Sequence, residues 1–161
     1  KLIGIETPGG RAMTKDRHDA ALARKALAEF KLVEKRLKSL LERSRRIRDG
    51  GDEFAPLREE LASLSNHLSA YFSVEEEEEL FECLLDKLPE KADEIDALRR
   101  EHRALEEGAL DLIREADEMS GDRARRFGDK VLGFAEAFHR HEDRETSLYQ
   151  RACVRDVGSK D

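Results

Sequence analysis

Apolar residues recur along this chain at alternating spacings of three and four, in four separate stretches. The first holds Leu22, Ala26, Phe30, Val33, Leu37 and Leu40. The second holds Leu57, Leu61, Leu64, Leu68 and Tyr71, and its phase then lands on Glu75. The third runs through Ile95, Leu98, His102, Leu105, Ala109 and Leu112. The fourth runs through Phe127, Val131, Phe134, Phe138, His141, Glu145 and Leu148. Such spacing sets one side of an α-helix against a core and leaves the other in water. Four amphipathic helices are therefore predicted.

Stop signals separate the stretches. Thr14 or Asp16 caps the first helix, and Gly50–Gly51 ends it. Pro56 suits the first turn of the second, and Pro89 forbids its continuation. Ser120 and Gly121 divide the third from the fourth. Short connections between four such helices predict an all-α fold, an antiparallel up-down four-helix bundle. Residues 1–13, with Pro8, Gly9 and Gly10, read as an irregular N-terminal arm. Residues 14–154 read as the bundle and 155–161 as a frayed tail. A start at Lys1 instead of Met points to a trimmed chain.

Composition narrows the function. The 161 residues suffice for one domain with a real core. Charged residues make up 42% and the formal net charge is -7, but both signs are interspersed, so no basic stripe for nucleic acid forms. No apolar run approaches the roughly 18–20 residues that span a bilayer, and no signal-peptide pattern is present. Membrane and nucleic-acid partners are not expected. Cys83 and Cys153 lie far apart without metal-binding spacing, which suits a reducing, cytoplasmic setting. No nucleophile constellation, phosphate loop or cofactor fingerprint marks a conventional enzyme.

The core stripes contain the wrong residues for a plain core. Tyr71 and Glu75, His102, and His141 with Glu145 interrupt three of the four. An unpaired buried carboxylate is costly, so several in one bundle need a compensating partner, and a metal ion neutralises several at once. Counting from the connections at about 1.5 Å per residue puts Tyr71, His102 and His141 within a turn or two of one height. The pairs Tyr71/Glu75, His102/Glu106 and His141/Glu145 each have i,i+4 spacing and share a helical face. Imidazole with carboxylate suits iron, and also manganese or zinc. His139 is out of phase with Phe138 and His141 and is expected near the surface.

With these residues in view, the sequence resembles the hemerythrin-like, or HHE cation-binding, domain family. "EHRALEEGAL" (Glu101 to Leu110), "HEDRETSLY" (His141 to Tyr149) and "YFSVEEEEELF" (Tyr71 to Phe81) carry the likeness, which spans about residues 14 to 152. The resemblance implies a four-helix bundle with a non-haem di-iron centre. It implies that His102 and His141 bind one metal, that Glu75 and Glu145 bridge two, and that Glu106 serves as an extra ligand. Two positions depart from the family pattern. Tyr71 stands where a helix-two histidine belongs, with His67 one turn earlier. Helix one offers only His18, near its start, and no histidine near Phe30 to Leu32, where the count puts the site. Tyr71 is itself a candidate ligand, since a phenolate binds ferric iron.

The function implied by the resemblance is a non-haem iron-binding protein that senses, binds or stores oxygen, nitric oxide, peroxide or iron. It holds two irons per chain if the site is complete, and one or none if it is degenerate. Redox catalysis at a di-iron site stays open. The alternative is a degenerate family member with partial or no metal, acting as an interaction or signalling module. A plain bundle outside the family must explain why histidine and glutamate recur at one height on three stripes.

Overall fold

A computed structural model of the chain describes residues 8–51, 54–76, 80–119 and 123–158, with side chains for residues 17, 18, 20–51, 55–76, 80–119 and 123–154. The helices are α1 (Pro8–Arg48), α2 (Phe54–Glu76), α3 (Leu80–Lys87), α4 (Ala92–Asp117) and α5 (Arg123–Gly158). A single 3-10 turn, Pro89–Lys91, joins α3 to α4. Among the described residues there is no strand.

The four predicted stripes all face inward on helices, every member buried except the partly buried Phe30. The second stripe lies within α2, but the second predicted helix, expected to run on to Pro89, is divided between α2 and α3, and residues 77–79 lie outside the described residues. Two expectations about the ends change. Pro8 opens α1, as its fixed φ and missing N–H allow at a first turn, so residues 8–13 of the expected irregular arm are helical. Thr14 and Asp16 consequently fall inside α1. At the other end α5 runs on to Gly158, because nothing in "VRDV" breaks a helix. The expected break at Ser120 and Gly121 lies outside the described residues.

The turn after α1 is made by two glycines. Gly51 N–H donates to Arg46 O at 2.9 Å and Gly50 N–H to Ile47 O at 3.0 Å, the paired bonds of a Schellman motif. Gly50 has φ of +97°, a conformation that only glycine adopts cheaply.

Contacts across the seams run in opposite directions along each pair of neighbours. Glu29 meets His67 and Arg43 meets Glu60 between α1 and α2. Glu101 meets His141 and Glu115 meets Lys130 between α4 and α5. Each helix thus runs antiparallel to its partner. α1 packs on α2 and α5, and α4 packs on the same two, so α1 and α4 stand on opposite corners. At one point α4 and α5 press together: a Cβ on Gly108 would stand 3.3 Å from the Phe134 ring.

The apolar interior is not continuous. A large cluster runs from Leu22 through Val33, Leu64 and Phe138. A smaller one holds Phe81, Leu84, Leu88, Ile95, Leu98, Leu148 and Ala152. On α4, His102 falls between Leu98 of the small cluster and Leu105 of the large one. On α5, His141 and Glu145 fall between Phe138 of the large cluster and Leu148 of the small one. A buried polar layer therefore separates the two clusters. No helix among the described residues is long and apolar enough to cross a membrane.

Candidate metal centre

The polar layer consists of Glu75 from α2, His102 from α4, and His141 and Glu145 from α5. All four are at most 2% exposed. Each offers a ligand atom, and these atoms lie within 4.8 Å of one another. Helical phase explains the convergence. Each residue continues an apolar stripe, so the packing that buries the leucines turns these side chains inward as well.

The two rings are closely fixed. His102 Nδ1 lies 2.5 Å from Glu76 Oε1, and His141 Nδ1 lies 2.9 Å from Glu101 Oε2. A carboxylate only accepts, so both Nδ1 atoms carry hydrogen. The two Nε2 atoms then turn their lone pairs toward each other at 3.0 Å. Phe72 stacks on the His102 ring at 3.9 Å between centroids, and Phe81 stacks at 5.4 Å. Arg144 holds the other oxygen of Glu101, so His141 is anchored through two further side chains.

The carboxylates are less well provided for. Both oxygens of Glu75 and Oε2 of Glu145 are buried without a hydrogen-bond partner. Glu75 Oε2 lies 3.3 Å from His102 Nε2, and Glu145 Oε2 lies 3.5 Å from His141 Nε2. Orphaned buried carboxylate oxygens are expensive. A cation between the four residues resolves both problems, because it accepts two nitrogen lone pairs and neutralises two carboxylates. The separation of the rings fits one. Imidazole–metal bonds of about 2.1 Å at right angles put two nitrogens about 3.0 Å apart.

Protonation follows the same crowding. Burial, then the nearby His141, drives His102 down to about 2, so it is a neutral ring. His141 goes up: burial opposes this, but Glu145 and Glu101 outweigh it. Burial and the neighbouring Glu145 push Glu75 well above the usual carboxylate range and Glu142 to about 8. Tyr71 and Tyr149 are pushed up for the same two reasons.

Tyr71 borders this layer, 4% exposed, and its hydroxyl donates to Glu142 Oε2 at 3.1 Å. The remaining candidates stand outside the four-residue group. Glu106 shares a face with His102 but sits a turn further along α4, where it accepts from Ser69 at 2.8 Å. His67 lies at the α1–α2 seam, 3.5 Å from Glu29. His18 is exposed near the start of α1. At the height of the layer α1 supplies Phe30, which touches Tyr71 and Phe138. His139 is half exposed and pairs with Glu34. Cys83 is half buried and Cys153 exposed.

Sequence reasoning missed Glu76, Glu101 and Glu142. Each is the immediate neighbour of a stripe residue. Adjacency to Glu75, His102 and His141 was the available signal, since a residue one step round the helix faces the next seam.

Among known families, the sequence model of the hemerythrin HHE cation binding domain matches residues 14–153. No curated protein and no solved structure matches the chain to a significant degree.

Proposed function

This chain belongs to the hemerythrin HHE cation-binding domain family, and on that premise we propose that it is a non-haem iron-binding protein. Its ion is held by His102, His141, Glu75 and Glu145. The observation that carries this reading is the pair of Nε2 atoms at 3.0 Å, each belonging to a ring whose Nδ1 is taken by a carboxylate. Carboxylates behind ligating histidines fix the tautomer and raise the basicity of the free nitrogen. Iron in such a site supplies a change of valence and open coordination positions, the chemistry on which sensing or binding dioxygen, nitric oxide or peroxide rests.

The residues of the chain do the rest. Glu76 and Glu101 aim the two imidazoles. Phe72 and Phe81 wall off the His102 ring. The apolar clusters on either side keep water from the carboxylates. We assign the role to sensing, binding or storage, which the two imidazoles and two carboxylates of the layer support.

Elemental analysis and the ultraviolet-visible spectrum of the purified protein test the reading. Iron bound per chain, lost in His102→Ala and His141→Ala, supports it. Failure to take up any metal after anaerobic loading with ferrous iron would leave a degenerate bundle serving in interaction or signalling.

A further inference from the structure

A cleft of about 620 Å³ opens along the α4–α5 seam, and of the polar layer only His141 borders it. The residues explain why it is there. Ala104 and Gly108 stand one turn apart on α4 and Ala137 lies on the α5 side, so three positions along the seam carry little or no side chain. Beneath them Leu105, Leu112 and Phe134 form an apolar floor, each buried. Two ion pairs bridge the seam at its ends, Glu101 with Arg144 and Glu115 with Lys130. Glu101 and Glu115 are 14 residues apart on α4, as are Lys130 and Arg144 on α5. At 1.5 Å per residue the bridges are about 21 Å apart, so the cleft is a long slot. Its remaining carboxylate, Asp111, is taken by Arg114. Arg140 lines the slot one turn before Arg144 and is exposed; among the described residues it has no hydrogen bond or ion pair. The charges around the slot are therefore matched in pairs except for one cation.

We propose that this slot binds an alkyl carboxylate of medium chain length, with the chain laid over Leu105, Leu112 and Phe134 and the carboxylate on Arg140. The volume falls in the range of small-molecule sites, roughly 300–1,000 Å³, which combine an apolar lining with a few polar groups. The chain is held by removal of its surface, and that of the floor, from water. The head is held by a guanidinium, which takes a carboxylate through two parallel N–H donors. A long slot with small residues along its rim suits an extended chain better than a compact ring. The net charge of -7 repels anions from the molecule at large, so selectivity for an anion has to come from this local cation. The inference goes beyond the iron reading and does not depend on it.

The test is calorimetric titration of the purified protein with decanoate below its micellar concentration. One decanoate per chain is expected to bind. Decyltrimethylammonium, with the same chain and the opposite charge, is expected to bind at least about 10-fold more weakly. Arg140→Gln is expected to weaken decanoate by about 10–100-fold, the usual effect of losing a hydrogen bond to a charged group. The substitution is on an exposed helical position, and circular dichroism checks that the variant folds. A readout that needs no variant locates the ligand. Decanoate carrying a diazirine on its chain, cross-linked by light and mapped by peptide mass spectrometry, is expected to label residues 104–112 or 130–137. Repeating the titration after metal removal separates the slot from the metal: binding is expected to persist, and binding that vanishes marks coordination by the ion and overturns the proposal. Absence of binding, equal affinity for the cationic amphiphile, native affinity in Arg140→Gln, or labelling confined to other parts of the chain likewise overturns it. None of these outcomes bears on the iron reading, which stands or falls on metal content.

Discussion

The Nε2 atoms of His102 and His141 stand 3.0 Å apart across the α4–α5 seam, and each ring is pinned from behind by a carboxylate of a neighbouring helix. Glu76 of α2 holds the first ring and Glu101 of α4 holds the second. Two lone pairs facing each other need a positive charge between them. In the absence of a metal a proton must supply it, which agrees with the raised affinity of His141 for protons. Metal and proton therefore compete for one position.

Removing one ring removes the competition and the site. His141→Ala is expected to weaken the histidine-bound metal by more than about 100-fold, beyond the usual effect of losing an outer partner. Calorimetric metal titration of the folded variant checks this. An unchanged affinity would remove His141 from the ligand set.

Glu101 does not belong to the four-residue group but orients one of its members. Glu101→Gln keeps the shape and loses the charge that holds His141 Nδ1–H. Metal affinity is expected to fall by about 10–100-fold, with the thermal midpoint of the metal-free protein changed little because Glu101 is partly exposed. Metal binding at native strength in this variant would refute the role.

Glu75 is 0% exposed and neither oxygen is hydrogen-bonded. Glu75→Leu is expected to stabilise the metal-free protein by about 1–3 kcal/mol, the penalty of an unsatisfied buried polar group, while abolishing metal uptake. Urea unfolding measures the first effect and elemental analysis the second. A destabilised variant would show that Glu75 is satisfied in a way its surroundings do not reveal.

The pH dependence of the metal-free protein follows from the same groups. Glu142 titrates near 8 when folded and in the ordinary carboxylate range when unfolded, and Glu75 is shifted the same way. The folded state thus binds more protons than the unfolded state between about pH 4.5 and 8, and stability falls as pH rises through that window. His141, also raised, adds to the loss above its unfolded value. His102 acts oppositely: its depressed value withholds a proton that the unfolded chain takes up, so acidification below about pH 6.5 costs stability through this group. The free energy of unfolding is expected to drop between pH 6.5 and 8, by about 1.4 kcal/mol per pH unit for each fully titrating group, and the thermal midpoint to fall with it. A bound metal, which requires the carboxylates ionised, is expected to flatten or reverse this slope. A metal-free protein that becomes more stable toward pH 8 would contradict the burial of these carboxylates.

The spacing of apolar residues determined four helices, their inward faces and the phase that turns Glu75, His102, His141 and Glu145 into the core. It also separated His141 from His139, because two residues along a helix are about 200° apart around its axis. Periodicity, however, fixes only the angle of a side chain about its own axis. How far one helix slides along the next, and which seam a flanking residue meets, is set by how the side chains of both helices interlock. Glu106 has the same angular phase as His102, yet its level along α4 gives it to Ser69. His67 is one turn from Tyr71, yet it is taken by Glu29 at the α1–α2 seam. Glu76, Glu101 and Glu142 stand one position off the stripes and look like solvated glutamates in the sequence. Packing brings two of them behind imidazoles and the third beneath the Tyr71 hydroxyl. The sequence by itself determined which side chains face inward. Only the tertiary structure decided which of them meet at one height, because a contact between helices depends on axial offset, and no single helix carries that information.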